Sequence, residues 1–201
     1  MHEVITNAEQ VTPEWLTRIL YEKSHLSRSK VVSVQKVNRS QGASTWFANI
    51  SFLEVGYSDK APKLAPKRLF LKISKPSLNP ADLLWGRKEV EFYNTIANAM
   101  DDPPLVCCYD AVYAPDTGRS HILLDDLSET HFQPQRPLPP SSPDCELVMD
   151  CLAKFHAHWW EHPRLGADIG RLLLQEPQMR RFPESLTLSV RLRRCFPVLW
   201  T

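Results

Sequence analysis

The sequence predicts an α+β fold, and three observations predict it. Three runs of strand character, residues 31–37, 46–55 and 68–74, follow one another through small-polar or proline-containing connections, so they pair as an antiparallel meander. A helix-patterned segment, about 83–100, comes next, with Phe92, Tyr93, Ile96, Ala97 and Met100 at i, i+1, i+4, i+5 and i+8. Two further strand runs, 105–114 and 121–124, flank the turn Pro115-Asp116-Thr117-Gly118. Strands therefore lie in groups around one helix and do not alternate with helices, which is the α+β pattern.

Composition narrows the function classes. The 201 residues suffice for one good core, or for one small domain and part of another. A net charge of +1 provides no basic field for nucleic acid or for an anionic membrane. No apolar run approaches the ~18 residues of a membrane span. The opening residues Met1 to Asn7 lack the basic-then-apolar order of a secretory signal. Five scattered cysteines without CxxC spacing read as reduced, buried thiols, and so as a cytoplasmic protein. Seventeen prolines against six glycines predict stiff connections.

In chain order, Thr12-Pro13-Glu14 is a helix start: a hydroxyl cap, proline at the first helical position, and an acid in the first turn. Trp15, Leu16, Ile19 and Leu20 give that helix an apolar face, and it fades near 22–25. It reads as a packing element. The strand 31–37 alternates, and the small polar stretch 38–45 joins it to the next. That stretch is an ordinary turn or a flap whose main-chain N–H groups and hydroxyls cover phosphates; it contains neither GxGxxG nor GxxxxGK[ST].

The third strand, Arg68-Leu69-Phe70-Leu71-Lys72-Ile73-Ser74, carries one charge in its apolar interior. Alternation puts Lys72 on the face of Phe70, opposite Leu69, Leu71 and Ile73. Its ammonium either snorkels to water or meets an anion. The following helix contains a complementary group. Glu89 precedes Tyr93 by four and Ile96 by seven, so it points with the apolar face, whereas Glu91 aligns with Thr95 and Asn98 on the polar face. Either both glutamates are first-turn acids favoured by the helix dipole, or Glu89, on the packed side, takes a partner, and Lys72 is the available cation.

Beyond the last strand, 133–143 is a proline-rich connector, followed by a helix from 143–144 to about 161. Leu147, Val148, Cys151, Leu152, Phe155 and Trp159 make one stripe and Met149, Ala153, His156 and Trp160 another, a pattern that predicts a buried helix. His158 and His162 stand at i, i+4, but HExxH is missing, so they read as core and solvent-edge histidines. Residues 170–201 mix helix-like and strand-like periods, ending in apolar residues without an evident partner.

Four segments in this order resemble the aminoglycoside phosphotransferase and choline kinase-like superfamily, most closely its ecdysteroid-kinase-like branch. They are Leu69-Phe70-Leu71-Lys72, Lys88-Glu89-Val90-Glu91-Phe92-Tyr93, Ile122-Leu123-Leu124-Asp125-Asp126-Leu127 and Leu152-Ala153-Lys154-Phe155-His156-Ala157, within about residues 10–165. The resemblance implies a protein-kinase-like N-lobe, 1–129, of five antiparallel strands and a helix. A connector, 130–143, and a truncated helical C-lobe, 144–201, would follow. It implies that Lys72 holds the α- and β-phosphates of ATP and that Glu89 orients it. Ser40, Gly42 and Ser44 would cover the phosphates. Asp125 and Leu127 would offer main-chain groups to the adenine, with Leu124 at the back wall.

Phosphoryl transfer in that family also takes a His-Gly-Asp type loop and a second, Mg²⁺-binding Asp. Neither reads in this chain. Asp168 is the one later acid of the right type, and its context, Gly166-Ala167-Asp168-Ile169-Gly170, is wrong. Two readings follow: an ATP-dependent small-molecule hydroxyl kinase by family, this chain being inactive alone, or a non-catalytic nucleotide- or partner-binding fragment. A module acting through the proline-rich loop is a third class. The hydroxyl acceptor does not read from the sequence.

Overall fold

β1 (Val31–Val37), β2 (Ala48–Tyr57), β3 (Arg68–Ser74), β4 (Cys108–Tyr113) and β5 (Ser120–Asp125) form one antiparallel sheet in the order β1-β2-β3-β5-β4. A computed structural model describes residues 3–37, 47–58, 62, 65–76, 80–131 and 140–169. The chain divides into two units, Met1–His158 and Trp159–Thr201, and the sheet belongs to the first.

The predicted meander is present, and β5 returns to lie between β3 and β4, which makes β3 central. Its composition suits that place: Leu69 and Leu71 are fully buried, and apolar residues occupy both faces. Two boundaries moved for identifiable reasons. β2 runs on to Tyr57 because β1 supplies partners as far as the Val31–Tyr57 pair. β4 starts only at Cys108 because Leu105 lies in a turn, its N–H donating to the Pro103 carbonyl at 2.7 Å.

Each face of the sheet carries one helix. α1 (Pro13–Glu22) is capped by Thr12, whose Oγ1 accepts from the Trp15 N–H at 3.2 Å. It sets Leu16, Ile19 and Leu20 against Leu53, Leu69 and Leu123 on one face. α2 (Pro80–Glu91) lies on the other face, with Val90 packed among Ala111, Ile122 and Leu124. The predicted single helix loses its regular ladder after Glu91, becoming a π-helical turn (Phe92–Ile96) and then a 3₁₀ turn (Ala97–Ala99). The Thr95 hydroxyl donates to the Glu91 carbonyl at 2.6 Å, a side chain in a place where the α ladder runs.

A buried polar pair fastens the N-terminal segment to the sheet. Nδ1 of His121 on β5 accepts from the Ile5 N–H at 3.0 Å, so the ring proton sits on Nε2. Nε2 faces Asp110 Oδ2 of β4 at 3.0 Å. His121 is fully buried and Asp110 nearly so.

α3 (Ser142–Trp159) begins with a reciprocal cap between Ser141 and Asp144. Its expected burial is contradicted. Leu147 is 66% exposed and Val148 58%, and Met149 and Leu152 are exposed too. Among the described ring contacts, α3 reaches the elements before it through Phe155, stacked at a tilt 6.1 Å from Phe92. The apolar stripe reported the helix's composition correctly; among the described residues it is covered only toward its end, where Phe155 meets Phe92 and Trp159 is buried. The cysteines also differ from expectation: the four described ones are free, but Cys107, Cys145 and Cys151 are exposed. Two of those three sit on this uncovered helix, which is why burial fails for them.

Candidate phosphate-binding site

The register of β3 places Lys72 opposite Ile50 of β2 and Ile122 of β5, on the face that carries α2. Phe70 shares that face and meets Phe52 edge to face at 5.5 Å. Glu89 lies on α2 one residue before the buried Val90, so its side chain leaves the helix at the border of the packed surface. The two charges meet: Lys72 Nζ lies 2.5 Å from Glu89 Oε2. Their side chains are 30% and 35% exposed, so the pair is open on one side.

That exposure limits what the pair does for stability. A partly solvated ion pair contributes about 1 kcal/mol or less, because water screens it and ordering two long side chains costs entropy. What it fixes is the place of the ammonium, which keeps donor positions beyond the one given to Glu89. Glu91, two positions on, makes no ion pair among the described residues. Burial pushes its carboxyl above the usual range, and Arg87 pulls it part-way back.

At the other end of β3, Leu69 pairs with Asp125, three residues along from the Lys72–Ile122 pair. At strand rise this is roughly 10 Å from the ammonium's strand position. The Asp125 N–H is committed to the Cys107 carbonyl at 2.9 Å, and the Asp126 N–H donates to the Arg68 carbonyl at 3.3 Å. Leu127 differs. Its carbonyl accepts from the Thr130 and His131 N–H groups, at 3.0 and 2.8 Å, while its own N–H has no partner among the described residues. Arg68 holds this segment to the sheet through ion pairs with Glu129 and, at 3.7 Å, with Glu54. Burial, the leading cause, raises the Asp125 carboxyl.

Of the remaining expected site residues, Ser40, Gly42 and Ser44 lie outside the described residues. Asp168 is an exposed partner of Arg164, with Arg164 Nη2 2.9 Å from its Oδ2; the Arg164 side chain holds its carboxyl below the usual range. Burial pushes the Cys108 thiol up to about 12, so it is no thiolate nucleophile at neutral pH. No group of three or more His, Cys, Asp or Glu among the described residues is placed to hold a metal ion. No helix among them is long and apolar enough to cross a membrane.

A cavity of about 420 Å³ is bounded by Thr6, Asn7, Lys36, Asn49, Ser51 and Ile73, and also by Ile50 and Phe52, the β2 partners of Lys72 and Phe70. Asn49 and Ile73 alternate to the face opposite Lys72, whereas Ile50 shares its face, so the hollow borders both faces of β2. Neither Lys72 nor Glu89 lines it, so the hollow and the ion pair are separate features. Neither a protein-family model nor a curated protein sequence matches the chain.

Sequence reasoning missed the His121–Asp110 pair. The signal was available: Asp110 interrupts one apolar strand run and His121 opens the next, the same kind of anomaly that singled out Lys72.

Proposed function

We propose that this chain is a nucleotide-binding, protein-kinase-like lobe of a small-molecule phosphotransferase. It holds ATP or ADP and does not transfer phosphoryl by itself. The observation that carries the reading is the 2.5 Å contact between Lys72 on a central strand and Glu89 on the helix laid across it. A pair of so little value to folding is better accounted for by a ligand that needs the ammonium in one place. The strand order and the Leu127 N–H, without a partner among the described residues, support it: phosphates would lie at Lys72 and the adenine edge at Leu127 and the Asp125 carbonyl.

Mg²⁺ accompanies the nucleotide in the family the chain resembles, and there it neutralises charge on the transferring phosphate. Among the described residues no group of three or more His, Cys, Asp or Glu is placed for a metal ion. No catalytic step is therefore assigned to them. Their part is to bind and orient: Lys72 toward phosphate oxygens, Glu89 toward Lys72.

Glu89→Ala is expected to weaken ADP binding about fivefold and Glu91→Ala less than twofold, measured by calorimetric titration. The reverse order would mean that the helix presents the wrong face. Incubated with ATP, Mg²⁺ and a panel of alcohols, sugars and amino alcohols, the chain should yield no phosphorylated product. Product formation that Lys72→Ala abolishes would overturn the non-catalytic half of the reading.

A further inference from the structure

We propose that the close contact between Gly86 and Ser120 sets the reach of Glu89 to Lys72, so that Gly86 is a positioning residue for the ion pair. The proposal deepens the nucleotide reading and rests on it for its functional consequence; the contact itself is a matter of geometry.

Gly86 lies four residues before the buried Val90 and three before Glu89, so all three share the sheet side of α2. A Cβ at position 86 would sit 2.4 Å from Ser120 Oγ and 3.4 Å from Ser120 Cβ. The first distance is impossible without movement and the second is ordinary contact, so the hydroxyl alone makes the conflict. Ser120 is 5% exposed and its N–H donates to Ser74 Oγ at 2.9 Å, so its main chain is held and only rotation of the hydroxyl within a packed site could relieve the contact. Arg119 binds the same serine, its Nε donating to Ser74 Oγ at 3.3 Å and its Nη2 to the Ser74 carbonyl at 3.0 Å.

Ser74 is two residues beyond Lys72 on β3. The helix therefore rests, at Gly86, on the knot that ties the end of β3 to the start of β5. One turn later it delivers Glu89. If α2 rises by 1 Å here, a charge-assisted contact of 2.5 Å leaves its favourable range. Helix propensity acts in the opposite direction, since alanine is favoured over glycine inside a helix. The two effects have opposite signs, and experiment can separate them.

The test uses the whole chain without nucleotide. Brief acetylation with a limiting amine-reactive reagent, mapped by mass spectrometry, gives the labelling rate of Lys72 relative to exposed Lys36. Glu89→Gln sets the unpaired benchmark, expected about fivefold above wild type. Gly86→Ala should raise Lys72 labelling at least half-way to that benchmark, and Gly86→Ala with Ser120→Ala should bring it back within about twofold of wild type. A folded Gly86→Ala chain with wild-type labelling, or a double variant that stays as reactive as the single, would overturn the proposal. If Gly86→Ala does not fold, Ser120→Thr crowds the same contact from the strand side and is scored the same way. ADP titration of the wild-type chain separates the two levels: reactive Lys72 in Gly86→Ala alongside no ADP binding by wild type supports the contact and removes the nucleotide reading.

Discussion

Lys72→Ala is expected to weaken ADP and ATP binding by about 30-fold, equivalent to about 2 kcal/mol, the usual worth of a hydrogen bond to a charged partner. Stability should change by about 1 kcal/mol or less, because the Lys72–Glu89 pair is open to water on one side. The combination is what discriminates. A lysine whose work was to close the fold would show the opposite pattern, with a fall in unfolding midpoint and no effect on a ligand. Lys72→Met keeps most of the apolar stem beside Phe70 and Ile50 while removing the charge, so it should match the alanine variant in binding and wild type in stability. Calorimetric titration and urea unfolding of the three chains measure both quantities.

The largest stability effect is expected at the reverse-face pair. Asp110→Ala leaves the His121 Nε2–H buried with its acceptor gone and should cost about 2–3 kcal/mol in urea unfolding. Asp110→Asn keeps an acceptor oxygen at the same reach and should cost about 1 kcal/mol. The loss should extend to the N-terminus, because His121 Nδ1 holds the Ile5 N–H and Ile5 packs in the core with Leu16 and Leu20. Limited proteolysis near Ile5 should accelerate in Asp110→Ala. An alanine variant within about 0.5 kcal/mol of wild type would show that the imidazole finds another acceptor.

The sheet was legible in the sequence because strand character and turn chemistry agree along the chain: β3 shows period-two burial, while β5, buried at five successive residues, reads as a short apolar run after a turn. β3 was found to the residue, since its polar flanks and apolar interior leave little freedom. The Lys72–Glu89 contact was legible for a different reason. A charge in an apolar strand and a charge on an apolar helix face each carry a desolvation cost, and pairing relieves both. The same logic applied to Asp110 and His121 leads to the second pair, which periodicity alone does not mark. α3 shows where pattern stops: an apolar stripe states what a helix would bury, and only coordinates say what lies against it. Gly86 was silent, because a single glycine in a helical pattern has the same appearance whether it is incidental or a point of close approach. The spare N–H of Leu127 is a property of backbone geometry and has no counterpart in side-chain sequence.

A crystal structure of the chain grown with a non-hydrolysable ATP analogue asks the central question most directly. The predicted result is phosphate oxygens within about 3 Å of Lys72 Nζ, Glu89 still paired to it, and the adenine edge on the Leu127 N–H. An analogue lodged instead in the cavity beside Lys36, or a Lys72–Glu89 pair with no phosphate near it at saturating analogue, would contradict it.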